Sequence, residues 1–197
     1  MYVNERFELV DTTYRSVIPN WGYGAFSEFI YYSNYSRRLM IDDVDYGQET
    51  WPDTIERVIN GVMSIRKDWY IRNHIKFDNP YWQDYAARMA VSLAKMEWSP
   101  PGRGLWAMGT DLIYERGSMA LYNCAWTNVG SEWIDDLCWL MDCLMHGVGV
   151  GFGPIRTGLK LYEPSTVSHY QIPDTREGWV ASVRLRLRSQ LHVWCCQ

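Results

Sequence analysis

The residues able to do chemistry gather between Arg103 and Gly153. One is a thiol, Cys124, which follows Asn123 at the end of an apolar run over residues 119–122. That run has strand-like composition and begins after Gly117, so it predicts a thiol at a strand end. One helix later the chain alternates glycine with apolar side chains from Gly147 to Gly153. This reads as a strand with bare amides, as a backbone needs where another group must come close. Glycine also marks bulges and tight packing, and the segment lacks the Lys-Ser or Lys-Thr ending of a phosphate-binding loop. Cys138, Cys143 and His146 invite a metal reading. Cysteines five apart on a helix point roughly 140° apart, however, and two thiols with one imidazole leave structural zinc incomplete. These are read as core residues, and no metal is expected. Cys124 taken alone reads as a small buried hydrophobe, the common fate of a cysteine.

Elements that must position these groups are legible on both sides. Residues 1–24 carry Pro19, Gly22 and Gly24 and little periodicity, which predicts an arm leading into a first helix over 25–35. Ser36-Arg37-Arg38 then reads as a cationic helix C-terminus favoured by the dipole. Residues 41–49 read as an acidic connector. Thr50 is a plausible N-cap, with Pro52 in the first turn and Asp53 at the capping-box position. Ile55, Val58, Ile59, Val62 and Met63 follow at threes and fours, giving one buried stripe as far as Ile65 or Arg66. The pattern lapses over 67–80, which leaves His74 at the surface, and Asp78-Asn79-Pro80 turns into a helix over 82–98 stopped by Pro100-Pro101. Thr110 and Asp111 cap a short helix or reach a substrate, capping being the commoner role. A helix over 131–145 buries Trp133, Leu137, Leu140, Met141 and Leu144, and a strand follows over 147–152. Asp174 or Thr175 then caps a last helix running to Leu191, although VRLRLR also alternates as a strand does.

Composition narrows the class. The chain has 197 residues, 47% hydrophobic and 21% charged, enough for a sizeable core. A net charge of −4 without any Lys/Arg run argues against binding duplex DNA. No stretch approaches the roughly 20 apolar residues that cross a bilayer, and the N-terminus has no apolar signal core, so neither membrane nor nucleic acid is an expected partner. Five cysteines, an odd number that includes the terminal Cys195-Cys196, do not make a secreted disulfide framework. Reduced thiols and a cytoplasmic setting are expected.

Three blocks together are far more specific than any one: GRGLWAMGTD, ERGSMALYNC and WLMDCLMHGVGVGF. They resemble the N-terminal part of adenosylcobalamin-dependent (class II) ribonucleotide reductases of the ribonucleoside-triphosphate reductase type. FSEFIYYSNYSRRL, ETWPDTIERVIN and IPDTREGWVASVRL are similar as well, so the resemblance spans roughly residues 18–191. It implies an α/β fold: a mostly helical region over 1–102, then over 103–191 the first strands of a ten-stranded α/β barrel left incomplete, with 192–197 an aberrant or truncated tail. Even an eight-stranded barrel takes about 250 residues. The expectation is an N-terminal fragment, inactive alone.

What the resemblance implies about chemistry centres on Cys124. It matches the family's N-terminal redox cysteine, which lies below the ribose and ends each turnover in a disulfide with a later cysteine. Such a pair can deliver the two electrons and protons that replacing a 2′-hydroxyl requires. By the same resemblance, Asn123, Gly149 and Gly151 lie near substrate. A turn-forming Asn and packing against a bare strand are the plainer alternatives. Arg156, Asp174 and Arg176 are implied contacts of a regulatory deoxynucleotide, with Arg156 and Lys160 otherwise solvated loop cations. The cofactor implied is adenosylcobalamin, bound mostly outside this chain, which starts a reaction in which a thiyl radical elsewhere takes the 3′-hydrogen. Implied partners are a ribonucleoside triphosphate, a deoxynucleotide effector and a thioredoxin-like reductant. Two other readings stand beside this one: a nucleotide-binding or regulatory subunit completed by a partner chain, and a helical interaction protein without catalysis.

Overall fold

The computed structural model describes residues 3–22, 24–41, 44–153 and 168–190. The chain forms two compact units, Met1–Leu121 and Tyr122–Gln197.

The first unit is built on its longest helix. Counting helices in chain order, α1 is Ala25–Asn34 and α2 is Trp51–Arg72. The start of α2 is fixed by its capping box: Asp53 Oδ2 accepts from the backbone N–H of Thr50 at 2.9 Å and from its hydroxyl at 2.6 Å. Ile55, Val58, Ile59 and Met63 are buried, as their spacing requires. α2 does not stop near residue 66, as the apolar pattern suggested, because a polar row takes over. Asn60, Ser64 and Asp68, four residues apart, accept backbone N–H groups of the N-terminal arm: Leu9 at 2.9 Å, Phe7 at 2.9 Å and Asn4 at 3.0 Å. Asp68 also pairs with Arg72 at 2.5 Å. The arm is therefore packed along the helix, with Phe7, Leu9 and Tyr14 in the core.

Residues 41–49 are no connector. Strand β1, Arg38–Ile41, pairs antiparallel with β2, Val44–Gln48, with an irregularity between Arg38 and Met40. Every residue of β2 is exposed, so no buried face imposed the alternation that betrays a strand. α3, Asn79–Ala94, starts earlier than residue 82 because Asp78 caps it, accepting from Tyr81 N at 3.2 Å. It ends before residue 98, where Met96 turns to a φ of 60°. Two short helices follow, α4 (Gly102–Ala107) and α5 (Asp111–Arg116), then a 3-10 turn over Ser118–Leu121. The loop between them rests directly on α2. A Cβ on Gly61 would collide with the backbone of Gly109, which itself has φ +77° and lies against the carbonyl of Arg57.

The second unit is a strand, helix and parallel strand with a further helix: β3 (Cys124–Thr127), α6 (Trp133–Met145), β4 (Gly149–Phe152) and α7 (Arg176–Ser189). Parallel strands need such a crossover. α6 packs on both strands and against α7. Cys138 and Cys143 are its buried residues, while Leu144, read as core, is half exposed. α7 is a helix, not a strand, and Thr175 rather than Asp174 caps it, accepting from Gly178 N at 3.0 Å. Among the described residues no helix is long and apolar enough to cross a membrane.

Candidate functional site: an exposed thiol beside a bare strand

Cys124 opens β3; it does not close a strand over 119–122, because Ser118–Leu121 is the 3-10 turn. A short apolar run suits either conformation, and here Ala120 turns inward instead of alternating along a sheet. In the parallel register Cys124 faces Gly149, Ala125 faces Val150 and Trp126 faces Gly151. Asn123 closes the ladder, its carbonyl accepting from Gly149 N at 2.9 Å. Exposure alternates along β3: Cys124 and Trp126 are open, Ala125 and Thr127 half-buried. Successive strand residues point to opposite faces, so Cys124, Trp126, Gly149 and Gly151 share one face.

The two glycines on that face differ. A Cβ added at Gly149 would meet only the Asn123 carbonyl, at an ordinary 3.6 Å. At Gly151 it would meet the Trp126 ring at 2.7 Å. Gly149 thus leaves an open floor beside the thiol, whereas the bare backbone of Gly151 is covered by an indole. Trp126, absent from the sequence reading, is 66% exposed and stands as a wall two residues from Cys124. Its position followed from the period of two once β3 was known to begin at 124.

The three cysteines described are all free, and only Cys124 is exposed. Burial pushes the Cys138 thiol up in pKa, and burial followed by the Asp142 charge does the same to Cys143, so both hold their protons. They are buried, in line with their reading as core residues. Among the described residues no group of three or more His, Cys, Asp or Glu converges as metal ligands would.

Arg176 is engaged within its own unit. Its guanidinium meets Asp142 at 3.3 Å, Glu177 at 2.6 Å and the His146 ring, which joins the start of α7 to the end of α6. Asp174 is exposed in the loop before α7. Arg156, Lys160, Cys195 and Cys196 lie outside the described residues.

The first unit has a polar centre that sequence reasoning missed. Glu49, 3% exposed, receives Arg57 Nε on one oxygen at 2.6 Å and Arg57 Nη2 on the other at 2.9 Å. Thr54 donates to the same carboxylate at 2.8 Å. Arg57 also donates to the carbonyls of Leu105 at 2.8 Å and Met108 at 2.6 Å, fixing α4 and the loop after it on α2. Arg37 and Arg38 do not act as a helix C-terminus: Arg37 donates to Trp106 O at 3.0 Å, and Arg38 pairs with Asp45 at 2.5 Å. Arg57 lies between Thr54 and Val58 on the buried side of α2, and that placement was the available clue. Thr110 stands at the N-cap of α5 as expected, although its hydroxyl donates back to Ala107 O at 2.7 Å.

A helical unit followed by a parallel strand-helix-strand unit, with one open thiol among the described residues, defines a mixed α/β protein. Comparison with known proteins makes this specific. Residues 7–110 match the ribonucleotide reductase alpha domain, and the chain belongs to that family. It is 32% identical over 186 residues to the adenosylcobalamin-dependent ribonucleoside-triphosphate reductase of Euglena gracilis, covering 89% of this chain and 25% of that protein. A probable adenosylcobalamin-dependent ribonucleoside-triphosphate reductase of Dictyostelium discoideum is 32% identical over 192 residues, covering 86% of this chain and 25% of the relative. The crystal structure of a B-12 dependent (class II) ribonucleotide reductase superposes with a TM-score of 0.67 at 23% identity, over 90% of this chain and 31% of that one. The chain thus spans about a quarter of the length of these two relatives.

Proposed function

We propose that the chain forms the N-terminal part of an adenosylcobalamin-dependent ribonucleoside-triphosphate reductase, and that Cys124 is one of its two reducing thiols. In this reading the first unit is the helical region, and β3 and β4 are the first strands of a ten-stranded α/β barrel. One observation carries it: Cys124 is an exposed, free thiol beside the open backbone of Gly149.

The chemistry balances on that thiol and a second cysteine supplied by the rest of the enzyme. The ribose 2′ carbon exchanges its C–O bond for a C–H bond, the oxygen leaves as water, and two S–H groups become one S–S bond. Two electrons and two protons pass from sulfur to substrate. A thioredoxin-like reductant then returns the disulfide to thiols. Adenosylcobalamin, when bound, supplies the radical that starts the reaction, and its site belongs mostly to parts of the enzyme outside this chain. Within the chain, Asn123 and Gly149 border the sugar, Trp126 covers the backbone of Gly151, and Asp174, Arg156 and Arg176 are the candidate contacts of the effector. Alone, the chain does not turn over.

Substitution tests this. In a full-length reductase carrying these residues, Cys124→Ser abolishes sustained deoxynucleotide formation, by at least about a hundredfold, while nucleotide binding persists. Undiminished turnover by Cys124→Ser removes the assignment.

A further inference from the structure

The first unit holds a cavity of about 420 Å³ that the proposed chemistry does not use. Arg37, Arg38, Glu49, Arg57, Trp106 and Asp111 are among the residues that line it. Among the described residues, three guanidiniums and two carboxylates line it. Both oxygens of Glu49 are engaged by Arg57, one of them also by Thr54 and by the backbone N–H of Arg37. Arg38 is paired with Asp45. Arg37 has no carboxylate within 4.0 Å among the described residues. It is nonetheless held in place: its Nη1 donates to Trp106 O, and its guanidinium carbon lies 5.6 Å from the centre of the Trp106 ring. Burial, then the nearby charge of Arg57, lowers its pKa, while the charge of Glu49 acts the other way. The remaining carboxylate, Asp111, is exposed and screened by water.

We propose that this cavity is an oxyanion site that takes a phosphate group, with Arg37 as its principal ligand. A planar guanidinium offers paired donors that match phosphate oxygens, and Arg37 has Nε and Nη2 beyond the bond to Trp106. Trp106 holds the fork in a fixed direction. The volume falls within the range of small-molecule sites, roughly 300–1,000 Å³, so either free phosphate or a phosphate monoester fits. The site contains none of the residues assigned to the thiol chemistry.

Calorimetric titration of the 197-residue chain with inorganic phosphate, and separately with a nucleoside monophosphate, tests it at constant ionic strength. The unphosphorylated nucleoside and chloride serve as controls. Saturable binding of a phosphate species is expected, weakened about tenfold or more by Arg37→Gln and by a smaller factor by Arg37→Lys, which keeps the charge but loses the paired donors. Cys124→Ser leaves it unchanged. Tighter binding of the monoester than of free phosphate identifies an ester as the natural ligand, and the reverse identifies phosphate itself. No saturable heat with either up to about 10 mM, or equal binding by Arg37→Gln with near-ultraviolet circular dichroism intact, overturns the proposal.

Discussion

Cys124 and Gly149 are register partners on parallel strands, so an exposed thiol stands next to a residue with no side chain. Any group that approaches the sulfur along that face meets backbone on the β4 side. This geometry separates Cys124 from the buried thiols of α6.

Native alkylation reads that difference. With the chain folded, iodoacetamide labels Cys124 faster than Cys138 or Cys143 by about tenfold or more, because the latter are buried and their pKa values raised. Peptide mapping follows each site, and equal rates at all three would mean that α6 does not shield its thiols.

The glycines of β4 should respond unlike one another. Gly149→Ala meets only an ordinary contact and removes backbone freedom from the unfolded chain, so stability holds or rises by about 0.5–1 kcal/mol. Gly151→Ala forces the Trp126 ring aside, which a change in tryptophan fluorescence reports. In a full-length reductase the first change lowers turnover despite unimpaired folding. A stable Gly149→Ala enzyme with full activity would show that substrate does not need the bare strand.

Glu49 and Arg57 give the largest stability effect expected in the first unit. Arg57→Met leaves a buried carboxylate without its partner and frees the carbonyls of Leu105 and Met108, a cost of about 3–5 kcal/mol by urea unfolding. A loss below about 1 kcal/mol would mean that water reaches Glu49.

The start of α2 was readable because Thr50 and Asp53 are three apart and bond each other, and its stripe because the period is local. Cys138 and Cys143, read as core residues, are buried. The β1–β2 hairpin was not, since strands exposed on both faces carry no hydrophobic alternation. The run over 119–122 was too short to distinguish a strand from a 3-10 turn. Arg37 was misread because its partner, Trp106, lies 69 residues away. The cover over Gly151 likewise comes from another strand, so no local pattern announces it. Glu49 was hidden among acids that looked solvated.

Two tyrosines supply a pH test. Tyr14 is pushed up to about 12, first by burial and then by its bond to Glu56, and Tyr31 is pushed up to about 12 mainly by burial. A raised folded pKa favours the neutral phenol. Their contribution to stability is thus complete below the unfolded value near 10 and is lost as pH rises from there through about 12. The Tyr14→Phe, Tyr31→Phe protein should lack tyrosinate absorbance that the parent gains around pH 12. Absorbance lost near pH 10 instead would show both hydroxyls to be open to water.

The most direct measurement concerns the oxidation state of one sulfur after one round of chemistry. A full-length reductase carrying these residues is reduced, freed of external reductant, given adenosylcobalamin and a single portion of ribonucleoside triphosphate, then quenched and mapped by mass spectrometry. The account predicts Cys124 in a disulfide in an amount matching the deoxynucleotide formed. Deoxynucleotide formed at that level with Cys124 still a free thiol would contradict it.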